Sequence, residues 1–293
     1  MLFHDWLKDD SKIILFDGAM GTEIFKRGIE PGKIPDLLNI EKPDIISDIH
    51  KSYYDVGSDM CQTCTFGSSS LNLKKYKLED RIEEINQKAL ENLKKICPPN
   101  CLIVGDIGPS GEFRPPVGNI TIEQWQVSFA NQVKILENGV DIWHIETISD
   151  IEEMKTAIQA VREASKKPII ASMTYKKTPR GYFTIMGDSL EKCIRILEQE
   201  NVDVIGANCT IGSNEMIGLI EESIKLTKKP LSAKPNAGQP KIDEKGRPFY
   251  EYPPKDFARD IHDMINLRAK IVGGCCGTSP ETIKEIRKII DSL

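Results

Sequence analysis

The chain has 293 residues, 40% of them hydrophobic, and 39 Lys and Arg against 44 Asp and Glu give a formal net charge of −5. That is apolar material for one large α/β domain or two small ones, and too much for a disordered chain. The basic residues are scattered through helix-like segments with no block of like charge, which argues against nucleic acid as a partner, and no apolar run approaches the roughly 20 residues that would span a bilayer.

The first residues, Met1-Leu2-Phe3-His4-Asp5-Trp6, lack the regions of a signal peptide, so a cytoplasmic protein is expected. The eight cysteines, at 61, 64, 97, 101, 193, 209, 275 and 276, then read as free thiols or metal ligands rather than disulfides. Short apolar runs that end in Gly, Asp, Glu, Thr or Cys mark strands. The first covers 13–16 and is followed by Asp17-Gly18-Ala19-Met20-Gly21-Thr22. A helical pattern over 45–56 leads to a second strand running into Met60-Cys61-Gln62-Thr63, and a charged helix over 79–96 leads to a third at 102–109. Residues 111–119, rich in Gly and Pro, read as a loop before a helix over 121–137.

The fourth strand, 141–145, ends in Glu146-Thr147; Ser149 and Glu152 then fit a capping box for a helix with Ile151, Met154, Ile158 and Val161 on one face. A fifth strand at 169–173 precedes a helix expected to start at Asp188 and Glu191, with Leu190, Cys193, Ile194 and Leu197 as its apolar face. The sixth strand, 202–205, runs into Gly206-Ala207-Asn208-Cys209; the seventh, 231–234, ends at Pro235-Asn236-Ala237-Gly238; the eighth ends at Cys275-Cys276. A polar stretch over 239–252, with Gly246 and Pro248, forms the long loop between the last two, and Ser279-Pro280-Glu281 opens the last helix. Eight buried strands alternating with about eight helices predict a (β/α)8 barrel forming one domain over 1–293. A doubly wound open sheet has a similar rhythm, but the count of eight and the gathering of unusual residues at strand ends favour the barrel, whose C-terminal strand ends share one mouth.

Adjacent cysteines rarely pair, because a vicinal bridge is strained. Two thiolates at the end of a buried strand flanked by glycines need a soft cation, and zinc suits them. If the barrel closes, the sixth and eighth strands lie two apart on the rim, and Cys209 supplies a third sulfur to Cys275 and Cys276. Three sulfurs with one open position are the pattern of a catalytic zinc, and an incoming thiol would bind there as thiolate at neutral pH.

The motifs Asp17-Gly18-Ala19-Met20-Gly21-Thr22, Gly206-Ala207-Asn208-Cys209, Pro235-Asn236-Ala237-Gly238 and Gly273-Gly274-Cys275-Cys276-Gly277-Thr278 resemble, in order, those of the zinc-dependent homocysteine S-methyltransferases. The likeness runs from about residue 13 to 290 and is nearest to the homocysteine-binding module of cobalamin-dependent methionine synthase. The resemblance implies a (β/α)8 barrel, zinc on Cys209, Cys275 and Cys276, and homocysteine bound through sulfur. It implies that the Gly18-Ala19 backbone turn takes the amino-acid carboxylate and that Asp17 and Glu146 hold the ammonium. It also implies that Gln62-Thr63-Cys64-Thr65-Phe66 lines the cleft near the methyl donor.

Asn236 faces the same mouth, to touch substrate or a group behind it. For the donor, methylcobalamin on a separate corrinoid protein is expected, with S-methylmethionine, S-adenosylmethionine or betaine as small-donor alternatives. A catalytically silent zinc and thiol-binding subunit is a second reading, and a phosphate-binding barrel, which leaves the cysteines without purpose, a third. Cys61 and Cys64 read as unbonded thiols, Cys97 and Cys101 as flanking a surface loop, Cys193 as core, and His144 as a satisfied core histidine.

Overall fold

A computed structural model describes residues 2–29, 34–243 and 248–293. Eight parallel strands form the wall of a barrel: β1 (Ile14–Leu15), β2 (Met60–Gln62), β3 (Leu102–Ile107), β4 (Ile142–Ile148), β5 (Ile169–Met173), β6 (Val204–Gly212), β7 (Leu231–Asn236) and β8 (Ala269–Val272). From β2 to β8 each pairs with the next, β8 pairs with β1, and a parallel bridge between Phe16 and Met60 closes the ring. The predicted (β/α)8 barrel is the fold observed. Strands β3, β5 and β7 are buried at every residue, as strands with the barrel interior on one side and helices on the other must be.

The helices between strands bury one face each. In Leu190–Gln199 the buried residues are Leu190, Cys193, Ile194 and Leu197, the expected face. Its cap, however, is Ser189, whose hydroxyl accepts from the Lys192 N–H, while Asp188 pairs with Lys192 instead. The Ser149 and Glu152 capping box is likewise not formed: Asp150 caps Ile151–Ala164 by accepting from the Glu152 N–H. In both, the adjacent oxygen-bearing residue has the extended backbone that aims its side chain at the free N–H groups.

Two short hairpins lie outside the ring, Lys176–Thr178 with Gly181–Phe183 and Lys241–Ile242 with Pro248–Phe249. The second falls within the predicted 239–252 loop, of which Gly246 lies outside the described residues. At the N-terminal end of the barrel the helix Leu2–Lys8 lays Phe3 against inward-facing Ile14, Phe16, Met60, Val104, Ile142, Ile170, Val204 and Ile271, with Trp6 and Leu7 around it. Among the described residues no helix is long and apolar enough to cross a membrane.

Candidate active site

At the C-terminal ends of the strands the barrel opens into a cavity of about 480 Å³. Asp17, Gly18, Ala19, Glu146, Cys209, Cys275 and Cys276 all face it, so seven of the eight residues singled out from the sequence meet at one place. The eighth, Asn236, is buried behind the sulfurs, and its amide hydrogen-bonds Cys209.

Local backbone irregularity aims these side chains. The pairing of β4 with β5 slips between Ile145 and Ile148, and that of β6 with β7 slips between Asn208 and Gly212. Within these bulges Thr147, Cys209 and Thr210 have φ of 61°, 57° and 58°, left-handed values that residues other than glycine rarely adopt. Such strain clusters at functional sites, and here it turns Glu146 and Cys209 toward the mouth. Asn208 ties the two bulges: its Oδ1 accepts from the Thr147 N–H at 2.8 Å, and its Nδ2 donates to Glu146 Oε2 at 2.9 Å and lies 3.8 Å from Cys275 Sγ.

The turn after β8 is stitched to both neighbours. The Cys275 N–H donates to the Pro235 carbonyl, the Ala237 N–H to the Cys276 carbonyl, and the Gly274 N–H to the Asp17 carbonyl. Thr278 donates its hydroxyl to the Cys275 carbonyl at 2.7 Å and accepts from the Ala19 N–H at 3.1 Å. The turn expected to receive a carboxylate is thus braced by the turn that carries the cysteines. Glycine is required at position 18 by space: a Cβ there would stand 2.8 Å from Thr278 Oγ1 and from the Tyr53 ring and hydroxyl.

The three sulfurs lie within 4.8 Å of one another, with Cys209 Sγ 3.8 Å from Cys276 Sγ. Hydrogen bonds from Cys275 and Cys276 pull the Cys209 thiol down to about 3, and the same bonds push Cys275 well up and Cys276 up to about 12. The three crowded thiols thus hold their protons unequally. A soft dication bound by all three would displace those protons, and the donor set fits zinc. Tyr250, whose hydroxyl bonds Cys276, completes the surround.

Asp106, His144 and Glu146 also lie within 4.8 Å of one another, but both imidazole nitrogens are already engaged. His144 Nδ1 donates to Gln62 Oε1 at 2.9 Å, because that oxygen also accepts from Lys234; its Nε2 then accepts from Ser172 Oγ at 2.8 Å. Burial holds this imidazole neutral, well below the usual histidine range, so His144 is the satisfied core residue expected.

The sequence reading missed what lies beneath the sulfurs. Lys234, 2% exposed, donates to Asp17 Oδ1 at 2.8 Å and Gln62 Oε1 at 3.1 Å, and its Nζ stands 3.5 Å from the Phe16 ring centroid. The Gln62 backbone N–H takes Asp17 Oδ2 at 2.9 Å, and its side-chain amide donates to Glu146 Oε1 at 2.8 Å. Burial raises the carboxyls of Asp17 and Asp106 and brings Glu146 up to about 7, against the pull of Lys234. A polar residue inside an apolar strand run was the available signal for Lys234 and Asp106.

All eight cysteines are free. Cys193 is core as expected and Cys61 is buried; Cys64 is buried too and its residue borders the cavity; Cys97 and Cys101 are half-buried.

The family profile described as homocysteine S-methyltransferase matches residues 14–290. Methionine synthase of Mycobacterium tuberculosis is 28% identical over 305 residues, covering 96% of this chain and 25% of that protein. The Mycobacterium leprae methionine synthase is 28% identical over 298 residues, covering 94% and 24%. The chain thus spans about a quarter of the length of these relatives. Among solved structures, the metallated form of the Escherichia coli homocysteine methyltransferase MmuM shares the fold with a TM-score of 0.81 at 22% identity, covering 96% of this chain and 97% of that one. With the profile covering nearly the whole barrel, the chain belongs to the homocysteine S-methyltransferase family.

Proposed function

We propose that the chain transfers a methyl group to the thiol of homocysteine, giving methionine, with zinc held by Cys209, Cys275 and Cys276. The observation that carries this reading is the meeting of three sulfurs from β6 and the β8 turn on the wall of a cavity that also holds buried acids. Zinc bound there would supply the Lewis acidity that lets a fourth thiol ionise near neutral pH, where a free aliphatic thiol with a pKa of about 8.5 is only a few per cent ionised. The chain's own groups do the rest. Glu146 and Asp17 provide the negative charge that attracts the substrate ammonium, and the Gly18-Ala19 turn receives the carboxylate. Asn208 fixes the acid relative to the sulfurs, and the buried site keeps water from the reacting atoms. A sulfur lone pair forms the new bond to carbon as the donor's bond to that carbon breaks, the electron pair leaving with the donor.

For the donor we propose methylcobalamin carried by a separate corrinoid protein. Phe66 and Tyr76 border the cavity yet stay 40% and 48% exposed, an apolar rim suited to a partner that covers the mouth. The free cysteines agree with a cytoplasmic setting. Methylation of homocysteine by methylcobalamin, S-methylmethionine, S-adenosylmethionine and betaine is the direct assay. Turnover with methylcobalamin that is abolished, together with zinc content, by Cys275→Ala is expected. Efficient turnover of a small sulfonium or betaine alone overturns the corrinoid route, and full activity of the zinc-free variant overturns the mechanism.

A further inference from the structure

The hydroxyl of Thr278 belongs to two parts of the site at once. The side chain is fully buried, and although Ala19 is 259 residues away in sequence, Thr278 Oγ1 accepts from its N–H at 3.1 Å while donating to the Cys275 carbonyl at 2.7 Å. The partners fix both directions: an N–H only donates and a carbonyl only accepts, so the hydroxyl must do one of each, which no apolar side chain can. Ala19 is held at its other end as well, its carbonyl accepting from the hydroxyl of buried Tyr53 at 2.7 Å. The space around this junction is full. A Cβ on Gly274 would lie 2.4 Å from Thr278 Oγ1, and one on Gly18 2.8 Å from it, so two glycines let two turns close on the same oxygen.

Packing this close leaves little room for one turn to move without the other. Cys275 is one of the three grouped sulfurs, and a metal that fixes its Sγ restricts the residue whose carbonyl Thr278 holds. Through the hydroxyl that restriction reaches the Ala19 peptide, inside the turn that the proposed function gives to the substrate carboxylate. A turn ordered in advance loses less freedom when its ligand arrives, and by linkage the ligand then favours the metal by the same factor. We infer that Thr278 is a positioning residue that couples the two halves of the site: metal at the cysteines and an amino acid at the 17–22 turn tighten each other's binding without touching. This rests on the reading of the site as one for zinc and homocysteine.

The test uses 2-aminobutyrate, which is homocysteine without its sulfur and so has no thiol to place on the metal. Zinc affinity is read by competition with a chromophoric chelator, with and without saturating 2-aminobutyrate, and 2-aminobutyrate affinity by calorimetry on zinc-loaded and zinc-free protein. In the wild type each ligand is expected to tighten the other by one common factor of about 3- to 10-fold, the worth of roughly one hydrogen bond. Thr278→Val keeps the shape and loses the hydroxyl; both ligands are expected to bind still, with the factor below about twofold. Thr278→Ser is expected to keep the factor, and Thr278→Ala stands in for the valine variant should that one fail to fold. A simple loss of stability would weaken either ligand alone without changing this ratio. A wild type that binds both ligands with a factor near one overturns the coupling, and a valine or alanine variant with the wild-type factor, or a serine variant without it, overturns the role of the hydroxyl. A wild type that binds zinc but neither homocysteine nor 2-aminobutyrate overturns the homocysteine reading itself, a result distinct from binding without coupling.

Discussion

Lys234 sits at the bottom of the cavity with almost no contact with water, and its replacement by Met keeps the stem and removes the charge. At 2.8 Å from Asp17 Oδ1, two unit charges attract by about 6 kcal/mol in an effective dielectric of about 20. The desolvation of both ions offsets part of this, and one-sided removal of a buried pair costs about 3–5 kcal/mol because the remaining charge is stranded. We expect Lys234→Met to lose that much in urea unfolding at pH 7, followed by the fluorescence of buried Trp125 and Trp143. The pH dependence has a definite sign. Burial already raises the Asp17 carboxyl against the pull of Lys234, and without Lys234 it rises further. A carboxyl raised in the folded state contributes stability that is full below its unfolded pKa and lost as pH climbs through the folded one. The deficit must therefore be smaller at pH 5 than at pH 7. Asp17→Asn combined with Lys234→Met, which strands no charge, should recover most of the loss. A deficit under about 1 kcal/mol at pH 7, or a double variant no better than the single one, would refute the reasoning.

Gly18→Ala drives a methyl group into Tyr53 and Thr278, and since Thr278 holds the Cys275 carbonyl, we expect about 1–3 kcal/mol less stability and weaker zinc binding by competition with a chelator; unchanged zinc affinity would disconnect the two turns. Glu153, brought up to about 7 by burial, accepts from both the N–H and the hydroxyl of Ser110, so its contribution is full below pH 4.5 and fades as pH rises through about 7. Glu153→Gln keeps an acceptor without a charge and should gain on the wild type by up to about 3 kcal/mol between pH 5 and pH 8 in the same unfolding assay; parallel curves would show that Glu153 is not strained.

The barrel was legible because buried parallel strands are continuous apolar runs, and because Asp17, Glu146, Cys209 and Cys275 all fall where such runs stop. The cysteine site was legible for the same reason: glycines beside paired thiols are an unusual local pattern. What stayed hidden depends on contacts across the ring. Lys234 and Asp17 are 217 residues apart, and Gln62 and Glu146 are 84 apart. Nothing local in Leu231-Ser232-Ala233-Lys234 announces a partner. The helix starts were missed by one residue at Ser149 and Asp188, because adjacent oxygen-bearing side chains compete for the cap and backbone geometry chooses between them.

Phe3 and the helix that carries it have a consequence for traffic. With one end of the cylinder stoppered by aromatic and aliphatic side chains, the described mouth is the way in and out at the sulfurs. On the proposed function, a thiol seated at the sulfurs would be overlain by the donor, and the methylated product would leave only after the spent donor had moved aside. An order of arrival and departure would then be imposed by a plug on the far side of the molecule from the chemistry.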